Sequence, residues 1–455
     1  MLILFFLALV AAVASGTVLD DYVWAPDSNY EWTDLQQPIS GSSPSGVSWT
    51  GHILNVTSQQ WLTPDDVDRS LWFHYLVVII PDNLNQNWNA NATLYVTGGS
   101  NTSPLPTAKD EDIRVASALA TGSGTITGAF FQVPNEHVVF KEDPEQMSRT
   151  EDAIIAYTWD HFLRHPDKPE WLVRLPMVKS VLRAMDAMTE FWQSYGGFSF
   201  ALEDYAHMNI TTRFDDPNMV ELQKIEDPYF YFDRLTLPKL VVNAVGDEFQ
   251  QPDDTKNWWP DLPEPKHFLM VPNAEHSLAT GIFEVVPAIG TWITKLLGEK
   301  EIPTFTWDID PDSGDIAVDL SEVKGVKKVE KFYGLSVNNK RRDFRFVNID
   351  DPCPMGLEKD GTCLNLRSFW KSAELQPTDG GVYVASHEKP EDGRWAAFMI
   401  QVTFEKDEEG VEGGKGGFIP RAKRGELVFT TEVSVVPDVM PYEDCYMETC
   451  EGNLV

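Results

Sequence analysis

Two stretches constrain this chain more than any others. Pro238-Lys-Leu-Val-Val-Asn-Ala-Val-Gly-Asp247 is a buried-strand pattern that ends on a carboxylate. Lys266-His-Phe-Leu-Met-Val-Pro-Asn-Ala-Glu-His276 is a second strand that runs into a loop histidine. The two terminal side chains lie 29 residues apart (276 less 247), a spacing that holds one strand and one helix. A carboxylate and an imidazole at neighbouring strand ends can work as one unit. The acid orients the ring, and the ring moves a proton near neutral pH.

The order acid then histidine is that of an α/β-hydrolase, in which the nucleophile precedes both on a G-x-S-x-G turn between a strand and a helix. No G-x-S-x-G occurs in the 455 residues. Gly122-Ser-Gly-Thr precedes a strand and lacks the strand–turn–helix order, and Gly197-Phe-Ser199 has no strand before it. Asp247 and His276 are therefore the candidate catalytic acid and base. Glu248, Asp253 and Asp254 crowd the same loop and leave the choice of acid open. Gly98-Gly99, after what reads as the third strand, are the oxyanion-hole candidates, because small residues let a substrate oxygen approach backbone N–H groups.

The strand patterns upstream fit a sheet with helices on both faces. They run over Gly46–Leu62, Leu71–Ile80, Ala92–Thr97 and Thr125–Val133. Helical periodicity covers Thr150–Arg164, opened by a Thr cap, then Met177–Phe191 and Ile282–Leu297. Trp192–Leu237 has no strand and reads as a cap, and Asp20–Ser45 as an irregular lead-in. From Pro303 the texture changes to short alternating strands, at 305–309, 315–320, 342–347, 381–385, 396–404 and 427–435, as in an antiparallel sandwich. The chain is too long for one ordinary core. Its expected parts are a signal peptide over 1–16, an α/β-hydrolase-like doubly wound domain over 17–300 and a β-rich, sandwich-like domain over 301–455. Asp308–Asp315 has the acidic spacing of a calcium loop but Ser313 where glycine is wanted, so it is read as a hairpin turn and no metal or cofactor is assigned.

Met1–Gly16 is rich in Leu, Phe, Ala and Val and ends in small residues, the pattern of a cleaved secretory signal. It is too short to span a bilayer. Four sequons at Asn55, Asn91, Asn101 and Asn209 and an even set of cysteines, Cys353, Cys363, Cys445 and Cys450, agree with a secreted, glycosylated, disulfide-bonded product. Local pairs, Cys353 with Cys363 and Cys445 with Cys450, are the first choice. The 70 acidic side chains against 36 basic ones leave a charge of −34, which disfavours nucleic-acid binding. The expected partner is an extracellular protein or peptide, with no nucleic acid and no membrane span.

Several longer stretches resemble the PhoPQ-activated pathogenicity-related protein family, which includes autocrine proliferation repressor proteins. They are Pro176-Met-Val-Lys-Ser-Val-Leu-Arg-Ala-Met-Asp186, Tyr195-Gly-Gly-Phe-Ser-Phe-Ala-Leu-Glu-Asp-Tyr205, Asp227-Pro-Tyr229, Val241–Phe249 and Val271–Ser277. The resemblance implies an α/β-hydrolase-like domain followed by a β-rich one, with Asp247 and His276 as acid and base. Family members place a strand and a Gly-Ala-Ser-Lys-Arg-Gly-type elbow ahead of the Tyr195-Gly-Gly segment. Here Phe191 runs directly into Trp192, so a strand–elbow–helix–strand unit of roughly sixty residues is missing. The sheet is thus expected to lack two central strands, which leaves bare edges beside the third and seventh unless it closes up. The resulting expectation is a pseudoenzyme acting in extracellular binding or proliferation signalling; a chain that carried the block would be an active serine hydrolase of peptidase or esterase type.

Overall fold

The computed structural model describes residues 17–443 apart from 26, 30, 44–45, 86–91, 178–199, 214–215, 349–357, 360–361, 365, 379 and 406–425. The expected helix Met177–Phe191, the Phe191–Trp192 junction, Ser199, Asn91, Cys353, Cys445 and Cys450 lie wholly or mainly outside the described residues.

The lead-in is more regular than its Pro- and Ser-rich sequence implies. Helix α1 (Val18–Trp24) opens on a capping box between Thr17 and Asp20. It is tied down by Arg234, which donates to both Asp20 oxygens. Strands β1 (Glu31–Asp34) and β2 (Ile39–Ser42) follow, and both pair antiparallel with β3 (Ser48–Gln60). Strands β4 (Leu71–Pro81), β5 (Ala92–Val96) and β6 (Ile126–Phe130) complete a six-stranded sheet in the order β1-β3-β4-β6-β5, with β2 off the path. Only β5 and β6 run parallel, and helix α2 (Glu111–Ser123) makes their crossover. That helix was not read from the sequence. Its buried stripe, Ile113, Ala116, Leu119 and Ala120, is broken by Ser117, Thr121 and Ser123, whose hydroxyls are satisfied within or beside the helix.

Helix α3 (Glu151–Arg164) begins where the sequence places it, but Thr150 does not cap with its side chain. The Glu136 carboxylate accepts the Glu151 N–H instead, at 2.7 Å. The segment to Leu237 holds short helices and turns and no strand among its described residues.

Strands β7 (Lys239–Ala244) and β8 (Lys266–Val271) pair parallel with each other and form a separate two-stranded sheet. The hydrolase-like sheet is therefore present as two pieces, one ending at β5 and the other at β7. Among the described residues neither β5 nor β7 has a strand on its other side. Helix Ile282–Leu297 packs beside α2 and joins the pieces on one face.

The remaining chain is sheet-rich. Strands β9 (Trp307–Ile309), β10 (Ile316–Asp319) and Val382–Ala385 form one antiparallel sheet. Strand β11 (Val326–Leu335) and strands Lys371–Glu374, Ala396–Phe404, Val428–Thr430 and Ser434–Val436 form another. The ten-residue β11 was missed because Lys327, Lys328, Glu330 and Lys331 mask its alternation. Two sequence expectations need correction here. Residues 342–346 are buried but irregular, with strand only at Val347–Asn348, and 427–435 is two short strands rather than one. The Asp308–Asp315 stretch is the hairpin turn between β9 and β10, closed by Asp310 accepting from Asp312 and Ser313 N–H groups.

The change of texture near 300 does not divide the core. One buried cluster joins Val245, Trp258 and Phe268 to Phe344, Trp370 and Val435. Another joins Trp292 to Ile316, Phe398 and Ile400. Among the described residues no helix is long and apolar enough to cross a membrane.

Candidate functional site

The parallel pair β7–β8 brings the two loops together. Their ladder continues beyond the strands, with Val245 N–H to Val271 O and Gly246 N–H to Ala274 O, both 3.1 Å. The next residue on the first loop is Asp247. Its Oδ1 accepts from the N–H groups of Phe249 and Gln250, at 2.7 and 3.1 Å, a turn that pins the carboxylate. Its Oδ2 lies 2.8 Å from His276 Nδ1.

An ionised carboxylate only accepts, so Nδ1 carries the proton and Nε2 of the neutral ring is the basic nitrogen. Asp247 is buried while the His276 side chain is 53% exposed, so the imidazole faces outward from a buried anchor. Burial pulls the histidine's pKa down, but the Asp247 hydrogen bond and the charges of Asp247, Glu248 and Asp152 outweigh it, and the net shift is upward.

The open choice of acid is resolved by geometry. Glu248 turns away and accepts the His276 main-chain N–H at 2.9 Å. Asp253 is held by Arg342. Among the described hydrogen bonds of these loop carboxylates, it is Asp247 that meets the ring.

Further carboxylates act on this pair: Glu248 from the acid loop itself, and Glu151 and Asp152 from the first turn of α3, a distant segment that the sequence order did not connect with it. Burial pushes Glu248 up to about 7. Glu151, in the first turn of α3, is also raised to about 7, by burial and then by the charges of Asp152 and Glu136. Both Glu151 and Asp152 feel the His276 charge. A raised carboxyl near neutrality can hold or release a proton.

Gly98 and Gly99 sit at the end of β5, where open space surrounds the position of a Cβ on either. No hydrogen bond joins them to the Asp247–His276 pair among the described residues. Ser123 is unsuited to attack: it is buried, and its Oγ is engaged with Leu119 O and Thr125 Oγ1, each at 2.7 Å. Among the described residues no group of three or more His, Cys, Asp or Glu could hold a metal ion.

The sequons differ in accessibility. Asn209 is exposed in a turn. Asn55 is half-buried on β3, between β1 and β4. Asn101 is the least accessible of the three. It is 6% exposed, and its Nδ2, the atom a glycan would be joined to, donates to Asn135 O and His137 O at 3.3 and 3.2 Å. Cys363 is buried in the short strand Thr362–Leu364.

Comparison with known proteins adds the following. The model of the PhoPQ-activated pathogenicity-related protein family matches residues 19–194 and 187–345. Autocrine proliferation repressor protein A of Dictyostelium discoideum is 31% identical, over 98% of this chain and 95% of that protein. That alignment runs over 512 positions against 455 residues here, so at least 57 positions (512 less 455) lack a counterpart in this chain. Among solved structures, a hyperthermophilic esterase from Pyrobaculum calidifontis is 16% identical, covering 61% of this chain and 89% of that one, with a TM-score of 0.27. Est1E from Butyrivibrio proteoclasticus is 10% identical, covering 60% and 100%, with a TM-score of 0.26. Scores of this size leave much of each fold unmatched. The sequence matches are of another order, and on them the chain belongs to the PhoPQ-activated pathogenicity-related protein family.

Proposed function

We propose that this chain is a secreted, non-catalytic member of its family that acts by binding an extracellular protein or peptide, as a proliferation signal. One observation carries the reading. The Asp247–His276 pair is in place at 2.8 Å, yet the sequence has no nucleophile elbow to set against Nε2. The missing positions of the alignment, and a family match whose two segments meet at 187–194, are consistent with loss of the unit that would carry it. The relative's name describes it as an autocrine proliferation repressor, which supports a signalling role. The leader-like Met1–Gly16 supports export.

The test is to treat the purified chain with a fluorophosphonate probe and map adducts by mass spectrometry. No serine adduct is expected. An adduct that forms on any serine and is lost in His276→Ala overturns the reading. The intact geometry of Asp247 and His276 favours a second reading for a chain that contains the missing unit: an active serine hydrolase, with Ser attacking and His276 moving its proton. Such a chain would label.

A further inference from the structure

The two loops that carry Asp247 and His276 are not held by the hydrolase-like half alone. Gly246 precedes Asp247, and its carbonyl accepts the Phe346 N–H at 2.9 Å. A Cβ on Gly246 would stand 2.5 Å from Phe346 Cβ and 2.9 Å from Ala274 O, so the three segments meet with no spare room. At the far end of the same loop, Asp253 receives both ends of the fully buried Arg342 guanidinium, at 2.8 and 2.5 Å. On the histidine loop, Asn273 adopts a left-handed backbone conformation with φ 57°. Its amide pairs with the main chain of Trp370 as another strand would: Oδ1 accepts the Trp370 N–H at 2.7 Å, and Nδ2 donates to Trp370 O at 3.1 Å.

We propose that Asn273 and Arg342 are positioning residues, through which the β-rich half sets the alignment of Asp247 with His276. The inference rests on the reading of Asp247–His276 as the surviving proton pair. Phe346, Trp370 and Arg342 all come from the segment after residue 300, and between them they tie down both ends of the acid loop and the start of the histidine loop. A side chain on a loop keeps a productive geometry only when its surroundings lock it. The β-rich half is thus part of the site rather than an appended module.

The experiment uses the full chain and follows the His276 ring protons by NMR as pH is varied, with circular dichroism to confirm folding. The groups that face or act on the ring are Asp247, Glu248, Glu151 and Asp152. Asn273→Gly removes both amide arms while keeping a backbone free to hold positive φ. Its His276 titration is expected to move to lower pH, because a looser Asp247 stabilises the imidazolium less. Arg342→Met should move the titration in the same direction. A folded Asn273→Gly chain that loses thermal stability but titrates as the wild type shows a merely structural role and overturns the proposal, whether or not Arg342→Met folds. Fluorophosphonate labelling of the wild type would sink the non-catalytic reading and leave this readout unchanged.

Discussion

Strand Ala396–Phe404 and strand β5 are both rich in apolar residues, and they have opposite fates. The first lies between β11 on one side and Val428–Thr430 and Ser434–Val436 on the other, and all but one of its residues are buried. Among the described residues the second pairs with β6 alone, and its Leu94 and Val96 are 59% and 52% exposed. Apolar residues on a bare edge are unusual, since native sheets cover or charge their edges. The contrast shows that β5 carries the sequence of an inner strand in the position of an outer one.

Core truncation should separate the two regions most sharply. Phe398→Ala in the covered strand is expected to cost about 3–5 kcal/mol, whereas Leu94→Ala on the bare edge should stay within about 0.5 kcal/mol. Urea midpoints measure both. If Leu94→Ala costs as much as Ile400→Ala, the β5 edge is covered in solution and the comparison fails.

A smaller effect is expected where the two regions touch. Gly246→Ala forces a methyl against Phe346 and Ala274 and should cost about 1–3 kcal/mol by overpacking. A neutral result would mean that the β-rich half can move away from the acid loop.

The smallest effect is on the pH dependence that the site contributes. Glu248 ionises near 4.5 when unfolded but is held up to about 7 in the fold. Between those values the folded state binds more protons, so stability falls as pH rises. His276, also raised, contributes in the same direction: its share is full below its ordinary value of 6.5 and is lost as pH rises through its folded value. Glu248→Gln should flatten the decline between pH 5 and 7 by roughly 1–2 kcal/mol, read as the change in urea midpoint. A slope identical to the wild type would remove Glu248 from the account.

Much of the site was legible because strand ends announce themselves. Asp247 and His276 each follow a continuous apolar run that stops at a turn, and parallel pairing of those runs leaves the two side chains one loop apart. The covered helix α2 was hidden by serines and threonines that sit buried within its apolar stripe, and β11 by the lysines on its exposed face. The action of Glu151 and Asp152 on the ring was illegible for a different reason. They lie far from Asp247 and His276 in the chain, and no local pattern reports that they converge.

By itself the sequence determined the strand–loop units, the order of acid and histidine, the break in texture near 300 and the absence of an elbow, because each is a local matter of residue type and spacing. Tertiary structure alone decided which acid meets the ring, that the sheet stands as two pieces, and that Asn273 and Arg342 reach across to the β-rich half. Those depend on which surfaces remain to be buried once the strands have paired, and that is a property of the whole chain.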